Sequence, residues 1–126
     1  MTDTMIDIRE DFDQCAEWIQ DALDHGGNTH DLEDIWTGIV EGRFQFWPAK
    51  KGCLVTEILL YPKCKVLHVF LGGGNLDQLL DMIESLEVYA KTIGCKSITI
   101  SGRKGWIRVL ASRGAKPVRT TLAKEL

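Results

Sequence analysis

The chain has 126 residues, 44% of them hydrophobic and 26% charged, which suits one soluble globular domain over residues 1–126. A net charge of −3 and a pI near 5.6 argue against a dedicated nucleic-acid binder, which carries a basic face. No apolar run nears the roughly 18 residues of a membrane span, and the acidic start MTDTMIDIRED lacks the basic and apolar regions of a signal peptide. A cytoplasmic protein is expected, with no nucleic acid and no membrane as partners. The four cysteines, Cys15, Cys53, Cys64 and Cys95, show no close pairing, so no metal is expected and the thiols are read as reduced and partly buried.

In chain order, Met5–Ile8 alternates weakly and reads as a short first strand. Asp11 then precedes FDQCAEWIQDALDH, whose apolar residues at 12, 15, 16, 18, 19, 22 and 23 have helical spacing. Asp11 and Gln14 fit an N-cap and its N3 partner, and Gly26-Gly27-Asn28 ends the helix. A second helix follows Thr29, with Leu32, Ile35, Trp36, Ile39 and Val40 on one face and Gly42 beyond its end. His25 and His30 fall in the loop between these helices and read as surface histidines. RFQFW, CLVTEILL and KVLHVFL are three strands joined by short turns, hence an antiparallel meander.

Next comes GGGN, then a helix with apolar residues at 76, 79, 80, 83, 86, 90 and 93, capped by Asn75 with Gln78 at N3 and ended by Gly94. KSITI is a fourth strand. Its link to KVLHVFL runs through that helix, so the two are expected to be parallel, with a right-handed crossover. A short helix at GWIRVLASRG places Trp106, Ile107 and Leu110 inward, and PVRTTLAKEL reads as a last strand. The fold class is therefore α/β (α+β): a mixed, mostly antiparallel sheet with helices on both faces.

This order, carried by VLHVFLGGGNLDQLLDMIESLEVYAKTIGCKSITI and GWIRVLASRGA, resembles the GNAT superfamily of N-acetyltransferases over nearly the whole chain. The resemblance implies acetyl-CoA as cofactor, with its pyrophosphate on the backbone amides of Leu71, Gly72, Gly73, Gly74 and Asn75, and the cofactor wedged between two splayed strands. The acceptor would be an amine on a small molecule or protein. The chain departs from the family pattern in three places. The strand reaches its helix through LGGGN, without the Gln or Arg of the family signature. Leu110 stands where the family commonly has a general-acid tyrosine. Gly114-Ala115 lacks the closing aromatic. In these respects it is similar to small, divergent GNAT-like proteins of tailed phages. That offers a second reading: a non-catalytic virion or accessory protein that keeps the scaffold for contact with a phage partner or a second copy of itself.

Glycines before a helix N-terminus allow close approach of a phosphate, and equally relieve crowding where strand, helix and sheet meet. On the first reading, Gly73→Val blocks the ligand at less cost in stability than Leu80→Ala. Glu57 and His68 are ionisable residues inside strands, where burial and neighbours tune pKa, so Glu57 is the first candidate base and His68 the second; the alternative is that each bonds locally or faces solvent. Arg103, at the C-terminal end of the fourth strand, suits an anion such as the CoA 3′-phosphate. Trp106 reads as core more than as a ligand stack. Trp18, Trp36, Trp47, Phe44 and Phe46 should pack the first helices on the sheet, or mark a partner surface if exposed together.

Overall fold

The computed structural model describes residues 2–102 and 104–126, the side chains at 2–7, 104 and 107 excepted. The elements run α1 (Thr2–Gln14), α2 (Ala16–His25), α3 (Leu32–Val40), β1 (Phe44–Pro48), β2 (Gly52–Leu60), β3 (Lys65–Gly74), α4 (Leu76–Thr92), β4 (Ser97–Ile100) and α5 (Lys104–Ala111). The sheet has the order β1-β2-β3-β4. The first three strands are antiparallel and β4 is parallel to β3. The expected mixed sheet, meander and helical crossover are all present.

Two apolar layers sandwich the sheet. On one face Phe12, Cys15, Ile19, Leu23 and Ile35 from α1–α3 cover Phe44, Cys53, Val55 and Leu71. On the other, Leu79, Leu86 and Ala90 of α4 cover Leu54, Leu67 and Val69. The strands alternate sides, so one strand feeds both layers, which is why β2 and β3 are apolar throughout. Thr56 is the fully buried polar residue of this core at 0% exposure. Its hydroxyl accepts from Trp47 Nε1 at 3.0 Å and donates to Gln45 Oε1 at 2.9 Å, so it is satisfied.

Two expected strands are absent. Met5–Ile8 lies inside α1, because residues 2–14 contain no glycine or proline to stop a helix that has begun. Asp11 is therefore interior to α1 and caps nothing. The chain bends instead at Cys15, whose amide is shared between Asp11 O at 3.2 Å and Phe12 O at 3.0 Å. The tail at 115–126 has no regular structure. Alternation alone makes no ladder there: Val118 and Leu122 are 74% and 90% exposed and find no apolar surface to cover. α3 begins later than Thr29, at a reciprocal box in which Asp31 Oδ1 accepts from Asp34 N at 2.8 Å and Asp34 Oδ2 accepts from Asp31 N at 3.0 Å.

Trp18, Trp36, Phe44, Phe46 and Trp47 are buried or half-buried. Phe12 packs on Trp36 and Phe46 at 5.4 and 5.7 Å between centroids, with Arg9 over Phe12 and Trp36. Trp47 lies on the opposite face of the sheet, 5.2 Å from Tyr89. α4 provides a paired test of this packing. Leu86→Ala, at a site 0% exposed, is expected to cost about 2–5 kcal/mol. Val88→Ala, 66% exposed on the same helix, is expected to change stability by less than about 0.5 kcal/mol. Urea denaturation reads both.

Candidate functional site

The site begins where β3 and β4 part. Their pairing runs from Val66↔Ser97 to Val69↔Ile100 and ends with Ser101 N donating to Val69 O at 3.2 Å. β3 continues to Gly74, so among the described residues its outer edge has no strand partner over 70–74. On its inner edge the register with β2 slips between Val55 and Thr56, which face Leu71 and Val69 and leave Phe70 as the extra residue. Such a bulge bends the strand and increases its twist, here at the point of divergence.

The register then aligns the polar residues. Glu57 pairs with His68, and His68 pairs with Thr99, forming one row across β2, β3 and β4 on the face covered by α2. His68 Nδ1 lies 2.7 Å from Thr99 Oγ1, and His68 Nε2 lies 3.0 Å from Ser101 Oγ. A cavity of about 500 Å³ opens above this row, with walls from Ala22 and Leu23 of α2, Phe70, Ile100 and Trp106. Glu57, His68 and Ser101 all line it. Burial holds the His68 pKa below its ordinary value; Glu57 pulls the other way, and Arg119 of the tail adds to the lowering. The imidazole is thus kept neutral and able to accept a proton near pH 7.

The glycines differ from the expected turn. Gly72, Gly73 and Gly74 are the end of β3, paired with Leu54, Cys53 and Gly52. A Cβ on Gly73 would lie 2.8 Å from Trp18 Cβ and 3.0 Å from Trp18 O, so this glycine lets α2 close on the strand. Gly74 has φ +108, and a Cβ there would collide with the Lys51 carbonyl and Gly52 Cα. The crowding alternative thus explains both residues, and Gly73→Val must move Trp18 and its helix backbone, a cost set beside that of Leu80→Ala only by measurement. Asn75 caps α4 as expected, its Oδ1 accepting from Gln78 N at 3.0 Å, while its own amide donates to Lys51 O at 2.7 Å. The Asn75 amide is therefore already spent on the protein. The next amides, Leu76 and Asp77, belong to the first helical turn, which has no i−4 carbonyl to serve.

A second hollow of about 650 Å³ lies here, lined by Gly72–Leu76, Lys50, Lys51, Asp21, Trp18 and Trp106. The Leu71 side chain is 5% exposed and belongs to the α2 core, so only its backbone reaches the cleft edge. Leu110 packs with Leu80 and Ile83, which makes the family's general-acid position core. Trp106 is half-buried among Leu54, Leu79 and Leu80 and also walls both hollows. Arg103 lies outside the described residues. His25 and His30 bond locally, to Asp21 O at 2.9 Å and Thr29 Oγ1 at 2.7 Å. No group of three His, Cys, Asp or Glu able to hold a metal occurs among the described residues. Nor is any described helix long and apolar enough to cross a membrane.

Sequence reasoning missed Thr99, Ser101, Lys50 and Lys51. A signal was present for the first two: in S-I-T-I-S the polar residues at 97, 99 and 101 alternate, and so share one face of a strand. Only the parallel register puts that face beside His68.

No protein-family model matches the chain, and no curated protein matches it. Solved structures do. A point variant of the BH1408 protein of Bacillus halodurans superposes with a TM-score of 0.66 at 12% identity, over 93% of this chain and 94% of that one. A Trypanosoma brucei acetyltransferase gives a TM-score of 0.63 at 10% identity, over 90% and 94%. A GNAT family acetyltransferase of Staphylococcus aureus gives 0.59 at 12% identity, over 93% of each chain. The fold is that of the GNAT acetyltransferases. At such identities the likeness is one of fold, and function has to be argued from the cleft.

Proposed function

We propose that the chain is a GNAT-type acyltransferase that moves an acetyl group from acetyl-CoA to an amine on a small molecule or protein. The observation that carries this reading is the opening between β3 and β4: β3 outruns its partner, and the gap is a cavity of about 500 Å³ with Glu57 and His68 on its floor. A scaffold with no ligand would fill such a gap with side chains.

The residues at hand fit the cofactor. The unpartnered outer edge of β3 offers backbone donors and acceptors along the cleft, as an extended pantetheine chain requires. Beyond it, the first turn of α4 with Lys50 and Lys51 suits a pyrophosphate, against one opposing carboxylate, Asp21. When bound, acetyl-CoA supplies an activated acyl thioester. The chain does the rest. The Glu57 carboxylate draws the acceptor ammonium to the floor of the cleft and removes its proton, with the neutral His68 imidazole beside it as the second base. Ala22, Leu23 and Phe70 keep water from the reacting carbonyl.

Calorimetric titration and thermal melts with acetyl-CoA and with CoA test the reading. Saturation at 100-fold over Kd should stabilise the protein by about 2.7 kcal/mol, and Lys50→Ala with Lys51→Ala should weaken binding of both ligands. No heat and no melting shift at millimolar ligand would end the transferase reading and leave the binding-scaffold one.

A further inference from the structure

His68 is held from both sides by hydroxyls, one of Thr99 in β4 and one of Ser101 just past its end, and the two are not equivalent. Thr99 is half-buried beside Nδ1, in the paired part of the strand. Ser101 is exposed, sits one step past the last β3–β4 pair, and meets Nε2 at 3.0 Å at the wall of the cavity. In the tautomer whose Nδ1–H donates to Thr99 Oγ1, Nε2 accepts from the Ser101 hydroxyl; the opposite tautomer reverses both bonds. The arrangement is a nucleophile hydrogen-bonded to a base that is itself oriented by a third group. Gly102, next in the chain, puts no side chain in front of the serine. In the first of these tautomers the proton that Nε2 is placed to take is the serine's.

We propose that Ser101 is a nucleophile activated by His68, and that the cleft carries acyl groups through a covalent acyl-serine. This rests on the acyl-transfer reading of the cleft and goes further, by placing a stop for the acyl group on the protein itself. The substrate class is a small activated acyl ester or thioester. Ser101 Oγ attacks the acyl carbonyl and its proton passes to Nε2. The bond from the carbonyl carbon to the leaving oxygen or sulfur breaks, and the leaving group takes that proton from Nε2–H. In the second half, water gives a proton to Nε2 and its oxygen attacks the ester. The bond to Oγ breaks, and Oγ recovers the proton. The sum is acyl ester plus water giving carboxylic acid plus alcohol or thiol, with no redox change. An amine in place of water gives the amide by the same proton path; where the acceptor arrives as an ammonium, Glu57 takes its surplus proton first.

Among the described residues, the groups facing His68 are Glu57 from β2, Thr99 from β4, Ser101 just past it and Arg119 from the tail, with His25 of α2 on the same cavity wall. Glu57 stabilises the imidazolium formed in each half-reaction.

The test is acetylation by p-nitrophenyl acetate, which needs no CoA site. Protein quenched during turnover is mapped by peptide mass spectrometry, and a fluorophosphonate probe is applied in parallel. One acetyl group on the Ser101 peptide is expected, with a burst of p-nitrophenolate stoichiometric with protein. Both should vanish in Ser101→Ala and slow by about 100-fold or more in His68→Gln. Thermal melts establish that each variant is folded; Ser101 is exposed, so its truncation leaves the core untouched. Folded wild-type protein with neither acetyl nor probe on Ser101 overturns the proposal. So does Ser101→Ala that still acetylates amines at the wild-type rate, an outcome that leaves direct transfer standing. An acetyl-Ser101 adduct in protein that shows no heat with acetyl-CoA upholds the proposal and removes the CoA-dependent reading instead.

Discussion

Gly74→Ala is expected to lower stability by about 3 kcal/mol or more, although it adds one methyl group to an exposed position. Two effects add. The backbone has φ +108, which side-chain-bearing residues rarely adopt, and the new Cβ would run into the Lys51 carbonyl and Gly52 Cα. Both obstacles are backbone atoms of the β1–β2 hairpin, so no rotamer change relieves them. Gly42→Ala is the control that separates the effects. Gly42 has φ +81, yet a Cβ there meets nothing within 4 Å. It should cost only the conformational part, about 1 kcal/mol. Gly73→Val belongs with Gly74, because it must push Trp18 and hence α2 off the strand. Urea denaturation of the three variants should rank Gly42→Ala as the mildest. If Gly74→Ala equals Gly42→Ala, the hairpin is not packed against β3 as described.

That ranking also shows what the residues alone conveyed. The meander, α4 and the parallel strand were legible because each is a run with one clear period, bounded by glycine, proline or a cap. Asn75 with Gln78 named the start of α4 to the residue. The glycine run was legible as special but not as strand. Glycine weakens strands on its own account, and here the ladder with Gly52–Leu54 and the closeness of Trp18 outweigh that preference. The two ends misled for opposite reasons. At 2–14 no breaker limits the helix, so it runs over a weak alternation. At 117–126 the alternation is clear, but a strand needs a neighbour and none of the described strands pairs with it. Glu57 and His68 could be picked out as odd residues in strands. Their meeting with Thr99 and Ser101 could not, because it depends on the register of β3 against β4, between residues 31 and 33 positions apart in sequence.

His68→Gln is expected to reduce acyl transfer by about 100- to 10,000-fold, the range for losing a positioned general base. Stability should respond to pH in the same variant, with a sign that can be worked out. An unfolded histidine titrates near 6.5. In the folded protein burial lowers that value, more than Glu57 restores it. Between the two values the unfolded chain binds the proton and the folded chain does not. Acid therefore favours unfolding: stability is full above about pH 6.5, falls as pH drops towards the folded value, and levels off below it. Thermal melts from pH 8 to pH 5 should show a steeper acid decline in wild type than in His68→Gln, which has no proton to take up at this position. The other carboxylates and histidines are common to both curves and cancel in the difference. Activity should tell the same story, with the acid limb of kcat/KM displaced below about pH 6.5, because the neutral imidazole persists into weak acid. Parallel stability curves together with an ordinary acid limb would mean that His68 titrates as it does in water, and that the wall of Ala22, Leu23 and Phe70 does not keep solvent from the cleft.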